Sequence, residues 1–328
     1  MLDLLGSRPA LMPTPRGVIH TEGSARLLRF HGSDDAPRGP ATPLLIVPSL
    51  INRWYVVDLR PGASLVSALV ERGIDVFCLD WGIPGDEDRY LTWDDVLARL
   101  SRAVRRVQRT TGAARVAILG YCMGGTLSGI YSALEPASVA GLINLLGPFD
   151  FSEGGFLAHA VDDRWFDASA MAAAGNIGAQ QMQSGFTSLR PTMQIAKWVG
   201  FAHRARDPAA RESFAALEAW AGDNVPFPGA AYETYIGDLY QKNALVHGTH
   251  RVGGRRVDLG QICCPVMTIV AERDEICPPP AATALNDFVG SENKTVVSVP
   301  GGHVGAVIGS RAARELYPAV AQWLRETC

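Results

Sequence analysis

The stretch from Val116 to Gly125 constrains this chain more than any other. Val116, Ala117, Ile118 and Leu119, with Ala114 just before Arg115, make a short apolar run. Gly120-Tyr121-Cys122-Met123-Gly124-Gly125 follows, and a helix-compatible run begins at Thr126. The order reads as strand, sharp turn, helix. At the apex of such a turn the backbone is strained, and flanking side chains would collide with the strand and the helix, so glycines are needed there. The apex residue is Cys122, where this kind of turn usually carries a serine nucleophile. A thiolate at a helix N-terminus is stabilised by backbone N–H groups and the helix dipole.

Strand and helix alternate through much of the chain. Residues 1–25 read as an irregular lead-in, and Arg26 to Phe30 as an early strand. Gly32 to Pro43 is a loop by its Pro, Gly and Asp content. Leu44 to Val47, closed by Pro48, has the look of a buried parallel strand. Pro61-Gly62 is expected to open a helix that Gly73 ends. Asp75 to Leu79 is the next strand. Thr92 is a plausible cap for a helix running to about Thr111, and Gly141 to Leu146 is another buried strand. The rhythm breaks at Gly147-Pro148. From there to about Gly260 the text is richer in Trp, Tyr, Met and Gln, with helical periodicity and no clear strand. Alternation resumes with Val266 to Val270, a helix near Ala281 to Val289, Thr295 to Val299, and a last helix from about Ser310 to Arg325. The fold class this implies is α/β: an α/β-hydrolase fold, a mostly parallel doubly wound sheet with an inserted helical cap. The expected division is a lead-in over 1–25, a core over 26–148 and 261–328, and a cap over 149–260.

Composition serves mainly to exclude. A chain of 328 residues, 47% hydrophobic, can bury about 75% of its unfolded surface and needs neither disulfide nor metal for stability. The formal net charge of −3 suggests no nucleic-acid partner. Met1 to Gly17 has Asp3 early and no basic region before an apolar core, so no signal peptide is expected. No uncharged apolar run reaches the roughly 18 residues of a spanning helix, and a soluble, cytoplasmic protein is expected. The six cysteines (Cys78, Cys122, Cys263, Cys264, Cys277 and Cys328) lack paired CxxC spacing, which argues against zinc and a disulfide framework. No G-x-G-x-x-G follows the early strands, against a dinucleotide-binding dehydrogenase. No metal or cofactor is called for.

A cysteine nucleophile needs a base, and the base an orienting acid. In this fold the chain order is nucleophile, acid, histidine. Asp274 falls just past the strand Val266 to Val270, and His303 just past Thr295 to Val299, at the sheet edge where catalytic groups of open α/β sheets gather. Glu272 and Glu275 are the other candidate acids; an N-capping or solvated carboxylate is the bland alternative for Asp274. The candidate triad is Cys122, Asp274 and His303. The candidate oxyanion donors are the backbone N–H groups of Met123 and of Ile51, the latter in the loop after the first core strand. Trp81, Tyr121 and Leu50 are the candidate substrate-contacting side chains. Trp198, Trp220, Tyr232, Tyr235 and Tyr240 read mainly as helix packing, with an acyl channel as the alternative. Cys277 reads as a partly buried thiol with no base, Cys263-Cys264 as a buried pair entering a strand, His247 and His250 as surface or packing residues, and Arg251, Arg255 and Arg256 as a solvated loop.

At these residues the chain resembles the catalytic part of the polyhydroxyalkanoate synthases, in particular the short form that pairs with a separate subunit. The matching segments are Leu44 to Tyr55, Asp80-Trp81-Gly82, the Gly-Tyr-Cys-Met-Gly-Gly turn, Trp220 to Asn243 with Pro226-Phe227-Pro228-Gly229 and Asp238-Leu239-Tyr240, and Pro300 to Gly305. Dienelactone-hydrolase-like proteins share a cysteine in a similar turn but are shorter and lack a helical cap between nucleophile and acid. The resemblance implies an acyltransferase that loads a 3-hydroxyacyl group from its coenzyme A thioester onto Cys122 and builds a polyester. It also implies a helical second subunit, a homodimer and attachment to polymer granules. Two departures stand out: Glu275 follows Asp274 where the family commonly has His, and Pro48-Ser49-Leu50-Ile51 differs from the usual form. A non-polymerising thioesterase or single-transfer acyltransferase, and a catalytically silent granule-binding protein, are the competing readings.

Overall fold

In a computed structural model, residues 9–32, 42–189 and 198–328 are described. Eight strands form one sheet: β1 (Arg16–Glu22), β2 (Ala25–Phe30), β3 (Leu44–Val47), β4 (Val76–Asp80), β5 (Val116–Tyr121), β6 (Val139–Leu145), β7 (Val266–Ala271) and β8 (Lys294–Val299). Their spatial order is β1-β2-β4-β3-β5-β6-β7-β8. β1 and β2 join antiparallel at one edge. The strands from β4 through β8 run parallel.

The period-2 geometry of strands sorts the apolar runs into two layers. Leu45, Val47, Phe77, Leu79 and Ile118 join one buried cluster with the helix α2 (Trp93–Thr111). Leu44, Ile46, Val76, Cys78 and Leu119 join a second with α1 (Leu65–Val70) and the C-terminal helix. Because both faces are covered, these strands read as continuous apolar runs rather than as alternating ones. α2 buries Trp93, Val96, Leu97, Leu100, Val104 and Val107 at helical spacing. Thr92 and Asp95 cap it reciprocally, and Gly112 ends it at φ 77°.

Several expected elements differ. β1 lies in the stretch read as an irregular lead-in. It is a half-exposed edge strand, so its sequence lacks the apolar run that betrays the central strands. Pro61-Gly62 does not open a helix. It is the turn of a small hairpin between Asp58–Arg60 and Ala63–Ser64, with Gly62 at φ 75°, and α1 starts only at Leu65 under a Ser64 cap. The helix expected near Ala281 to Val289 is two short ones, Pro279–Thr283 and Leu285–Phe288. The last helix starts at Leu316, not Ser310. Cys263 is exposed rather than part of a buried pair.

α3 (Met123–Leu134) follows β5. The segment inserted between β6 and β7 carries α4 (Gly155–Ala160), α5 (Ala168–Ala173), α6 (Ala179–Leu189), α7 (Pro208–Ala221) and α8 (Gly229–Thr234). The last of these runs into a π-helical turn, Tyr235–Gln241. The inserted segment also holds a two-stranded hairpin, Arg251–Val252 with Arg255–Arg256, in a stretch whose sequence shows no clear strand. Its arginines are exposed, and Arg255 pairs with Glu135 at 2.8 Å.

Candidate active site

Cys122 stands between β5 and α3 at φ 57° and ψ −127°. A non-glycine residue in that region stores about 1–3 kcal/mol of strain. The glycines around it answer to close approaches. A Cβ on Gly120 would run into the Gly124 carbonyl, one on Gly124 into the Val47 carbonyl, and one on Gly125 into the Asn144 side chain. Asn144 in turn fixes the turn after β6, accepting from Gly147 N–H (3.1 Å) and donating to its carbonyl (2.9 Å). The backbone of Cys122 is pinned by its N–H to Leu145 O at 2.9 Å.

β7 and β8 deliver the other two groups side by side. Arg273 N–H to Gly301 O, at 2.9 Å, ties the loops that follow these strands. Asp274 accepts from the N–H groups of Ile276 and Cys277 through one oxygen, each at 2.9 Å. Its other oxygen accepts from His303 Nδ1 at 2.7 Å. Both side chains are buried. With Nδ1 donating, Nε2 is the nitrogen left to act as base. Burial alone would lower the proton affinity of His303. Cys122 and the bond to Asp274 outweigh it and raise the pKa to about 10. Cys122 is therefore near enough to act on the ring, yet among the described residues Nε2 finds no partner at hydrogen-bonding distance. A resting nucleophile–base pair is often longer than the bond it makes during reaction. The ring of Tyr121 packs on His303 at 5.4 Å between centroids.

Cys122 opens onto an apolar cavity. Ile51 and Met123 border it beside the thiol, and Pro148, Ile276 and Cys277 form one flank. Leu157, Met182, Phe227, Tyr232, Tyr235, Ile236 and Tyr240 come from the inserted segment. Met123 is the first residue of α3, where N–H groups have no intrahelical acceptor. The N–H of Ile51 has only a 3.5 Å approach to Ser49 Oγ. Both residues line the same cavity as Cys122.

Trp81, Tyr121 and Leu50 are buried but do not border this cavity. Trp81 Nε1 donates to Pro48 O at 2.9 Å, so it braces the loop that carries Ile51. Of the aromatics, Tyr232, Tyr235 and Tyr240 border the cavity. Trp220 packs below the loop, and Trp198 is partly exposed beside Phe214. Cys277 is fully buried on the cavity wall, and burial pushes its thiol pKa up. His247 is exposed and His250 buried. Among the described residues no cluster of three His, Cys, Asp or Glu is set to hold a metal, and no helix is long and apolar enough to cross a membrane.

Known proteins share the fold and about a third of the sequence. A model of the alpha/beta hydrolase fold matches residues 42–309. One described as the poly-beta-hydroxybutyrate polymerase (PhaC) N-terminus matches residues 10–69. The poly(3-hydroxyalkanoate) polymerase subunit PhaC of Allochromatium vinosum is 34% identical over 315 residues, which is 95% of this chain and 89% of the relative. The chain belongs to the poly(3-hydroxyalkanoate) polymerase family. The PhaC subunit of Haloferax mediterranei is also 34% identical, over 95% of this chain but only 64% of its own length. A soluble variant of monoglyceride lipase from Saccharomyces cerevisiae superposes with a TM-score of 0.60 at 14% identity, over 98% of this chain and 100% of that one. That likeness shows the fold. In this polymerase-family chain, the PhaC N-terminal match spans β1, β2, β3 and the Ile51 loop, so the family signature includes the strand pair at the sheet edge.

Proposed function

We propose that the chain is a covalent acyltransferase which takes a 3-hydroxyacyl group from coenzyme A and extends a polyester with it. The observation that carries this reading is the buried Asp274–His303 pair facing a strained Cys122, in a chain whose relatives are named poly(3-hydroxyalkanoate) polymerases. Cys122 sulfur attacks the thioester carbonyl, and His303 holds the thiol proton on Nε2. The negative charge formed on the carbonyl oxygen is met by the N–H groups of Met123 and Ile51. Collapse breaks the carbon–sulfur bond to coenzyme A, which leaves with the proton from His303. The hydroxyl of an incoming 3-hydroxyacyl-CoA then loses its proton to His303 and attacks the acyl-Cys122 carbonyl. The ester forms, the carbon–sulfur bond to Cys122 breaks, and the Cys122 sulfur takes the proton back from His303, free to accept the lengthened chain. Asp274 orients the imidazole throughout.

Apolar lining suits a growing aliphatic ester and disfavours water, which supports transfer over hydrolysis. The cavity has about 60 Å³ of free space, room for a few waters. An acyl chain therefore enters only as side chains such as Met182 and Tyr240 give way. The word "subunit" in the relatives' names supports a second polypeptide as partner. A homodimer and a granule surface complete the reading.

The test is purified protein with 3-hydroxybutyryl-CoA, following coenzyme A release with a thiol reagent and examining the acyl product, alongside Cys122→Ala. Release with polymer, abolished in the variant, is expected. Free hydroxy acid alone would make the protein a thioesterase. Release that survives Cys122→Ala would remove Cys122 from the chemistry.

A further inference from the structure

The loop after β3 does not stand by itself. Asn52 Nδ2 donates to Asn224 Oδ1 at 2.8 Å, and Asn224 Nδ2 donates to Gln183 Oε1 at 2.5 Å. Tyr55 OH donates to Asp223 at 2.9 Å, with the Arg53 guanidinium 3.9 Å from the same carboxylate. Trp220 Nε1 donates to Arg53 O at 3.0 Å, and Val225 N–H to Ile51 O at 3.4 Å. Residues 51–55 are thus bound, link by link, to the end of α7 and the turn after it.

The placement of these links gives them meaning. The carbonyl of Ile51 is held by Val225, and the next side chain by Asn224. The N–H of Ile51, a residue that borders the cavity, has by contrast a long 3.5 Å approach to Ser49 Oγ. A peptide N–H stabilises a developing oxyanion only if its direction is set before the charge forms. A misplacement of about 1 Å costs on the order of a hundredfold in rate. At its far end the amide relay reaches Gln183, adjacent in chain to Met182, which borders the cavity.

We propose that Asn224 is a positioning residue for acyl transfer. Through Asn52 it sets the direction of the Ile51 N–H, and through Gln183 it makes that setting depend on how α6 is seated beside the cavity. This rests on the acyl-transfer reading above, with Ile51 as oxyanion donor. The alternative is a set of bonds that merely fastens the inserted segment to the core.

Single-turnover release of coenzyme A from 3-hydroxybutyryl-CoA separates the two, measured for Asn224→Ala, Asn52→Ala, the double variant and Asn224→Asp, each with a melting curve. Positioning predicts an acylation rate down about 10- to 100-fold in either alanine variant, with KM within about twofold. It predicts no further loss in the double variant, because both act through one link. Asn224→Asp keeps the acceptor for Asn52 and can take a bond from a turned Gln183 amide, so most of the rate returns. A rate within twofold of wild type in folded Asn224→Ala overturns the proposal. So does a loss confined to KM, or two losses that multiply. Should Asn224→Ala fail to fold, Asn52→Ala and Asn224→Asp decide it by the same criteria. Wild-type protein with no Cys122-dependent release would sink the acyl-transfer reading itself, and this proposal with it. Active wild type with unaffected variants sinks only the positioning role.

Discussion

Cys122 shows at the scale of one residue how the fold spends stability on reactivity. Its φ of 57° is a conformation that glycine adopts freely and a side chain resists. Removing the thiol with Cys122→Ala leaves that resistance in place, while Cys122→Gly removes it. We therefore expect Cys122→Gly to be more stable than Cys122→Ala by about 1 kcal/mol, read from urea unfolding midpoints. Equal midpoints would mean the elbow is unstrained. The Gly-x-Cys-x-Gly pattern is legible in the sequence because each glycine answers to an atom a few residues or one strand away. Cys277 is not legible as a cavity residue, since nothing in Cys277-Pro278-Pro279 marks which way a buried thiol faces. Asn224 leaves even less trace. Its partner Asn52 is 172 residues away, and two asparagines in separate loops make no pattern until the fold brings them together.

At the scale of elements, legibility follows burial. β3, β5, β6 and β7 are buried along their whole length, and a run such as Leu44-Leu45-Ile46-Val47, too short for a helix and closed by a proline, fits little besides a covered strand. β1 alternates between exposed and partly exposed residues, so its pairing with β2 around Gly23 is visible only in space. The aromatics Tyr232, Tyr235 and Tyr240 pose a different difficulty: spacing on a helix is the same whether a ring packs on a neighbour or borders a cavity, and Tyr235 does both, lying 5.5 Å from Trp93. α2 is readable nearly to the residue because its ends carry their own chemistry. Asp95 N–H donates to Thr92 Oγ1 at 3.1 Å, and Thr92 N–H to Asp95 at 3.0 Å. Thr92→Ala loses the first of these and is expected to cost about 1 kcal/mol. Thr92→Ser should lose little. Thermal unfolding of both variants checks this, and an equal loss in Ser and Ala would show that the hydroxyl is not the cap.

For the molecule as a whole, the site sits where the parallel strands end, and its charge state is tied to folding. Two buried acid–base groups, Asp58 and His303, both hold protons more tightly in the fold than in the open chain. Burial is the main cause at Asp58, opposed by the hydroxyls of Ser64 and Thr14. At His303, burial opposes the rise that Cys122 and Asp274 impose. The sign follows from which state binds the proton better. Below about pH 6.5 the imidazole is charged folded or unfolded, and the stabilisation from its pairing is fully present. As pH climbs toward about 10 the unfolded chain has already given up its proton, and the fold loses the advantage as His303 titrates. Asp58 acts in the same direction but at acid pH, its contribution being lost as pH rises through its raised pKa. From about pH 6.5 the slope begins with His303. Above about pH 8 the thiols of Cys78, Cys264, Cys277 and Cys328, whose pKa values burial raises, add losses of the same sign, which a comparison between variants at His303 cancels. His303→Gln removes the titrating group and leaves a side chain of similar reach. The Tm difference between wild type and His303→Gln should be largest near about pH 6.5 and shrink steadily by about pH 10. A difference that stays constant would reduce His303 to packing. One that grows with pH would mean the fold holds the imidazole neutral, and would reverse the assignment of Cys122 and Asp274 as the groups that keep it charged.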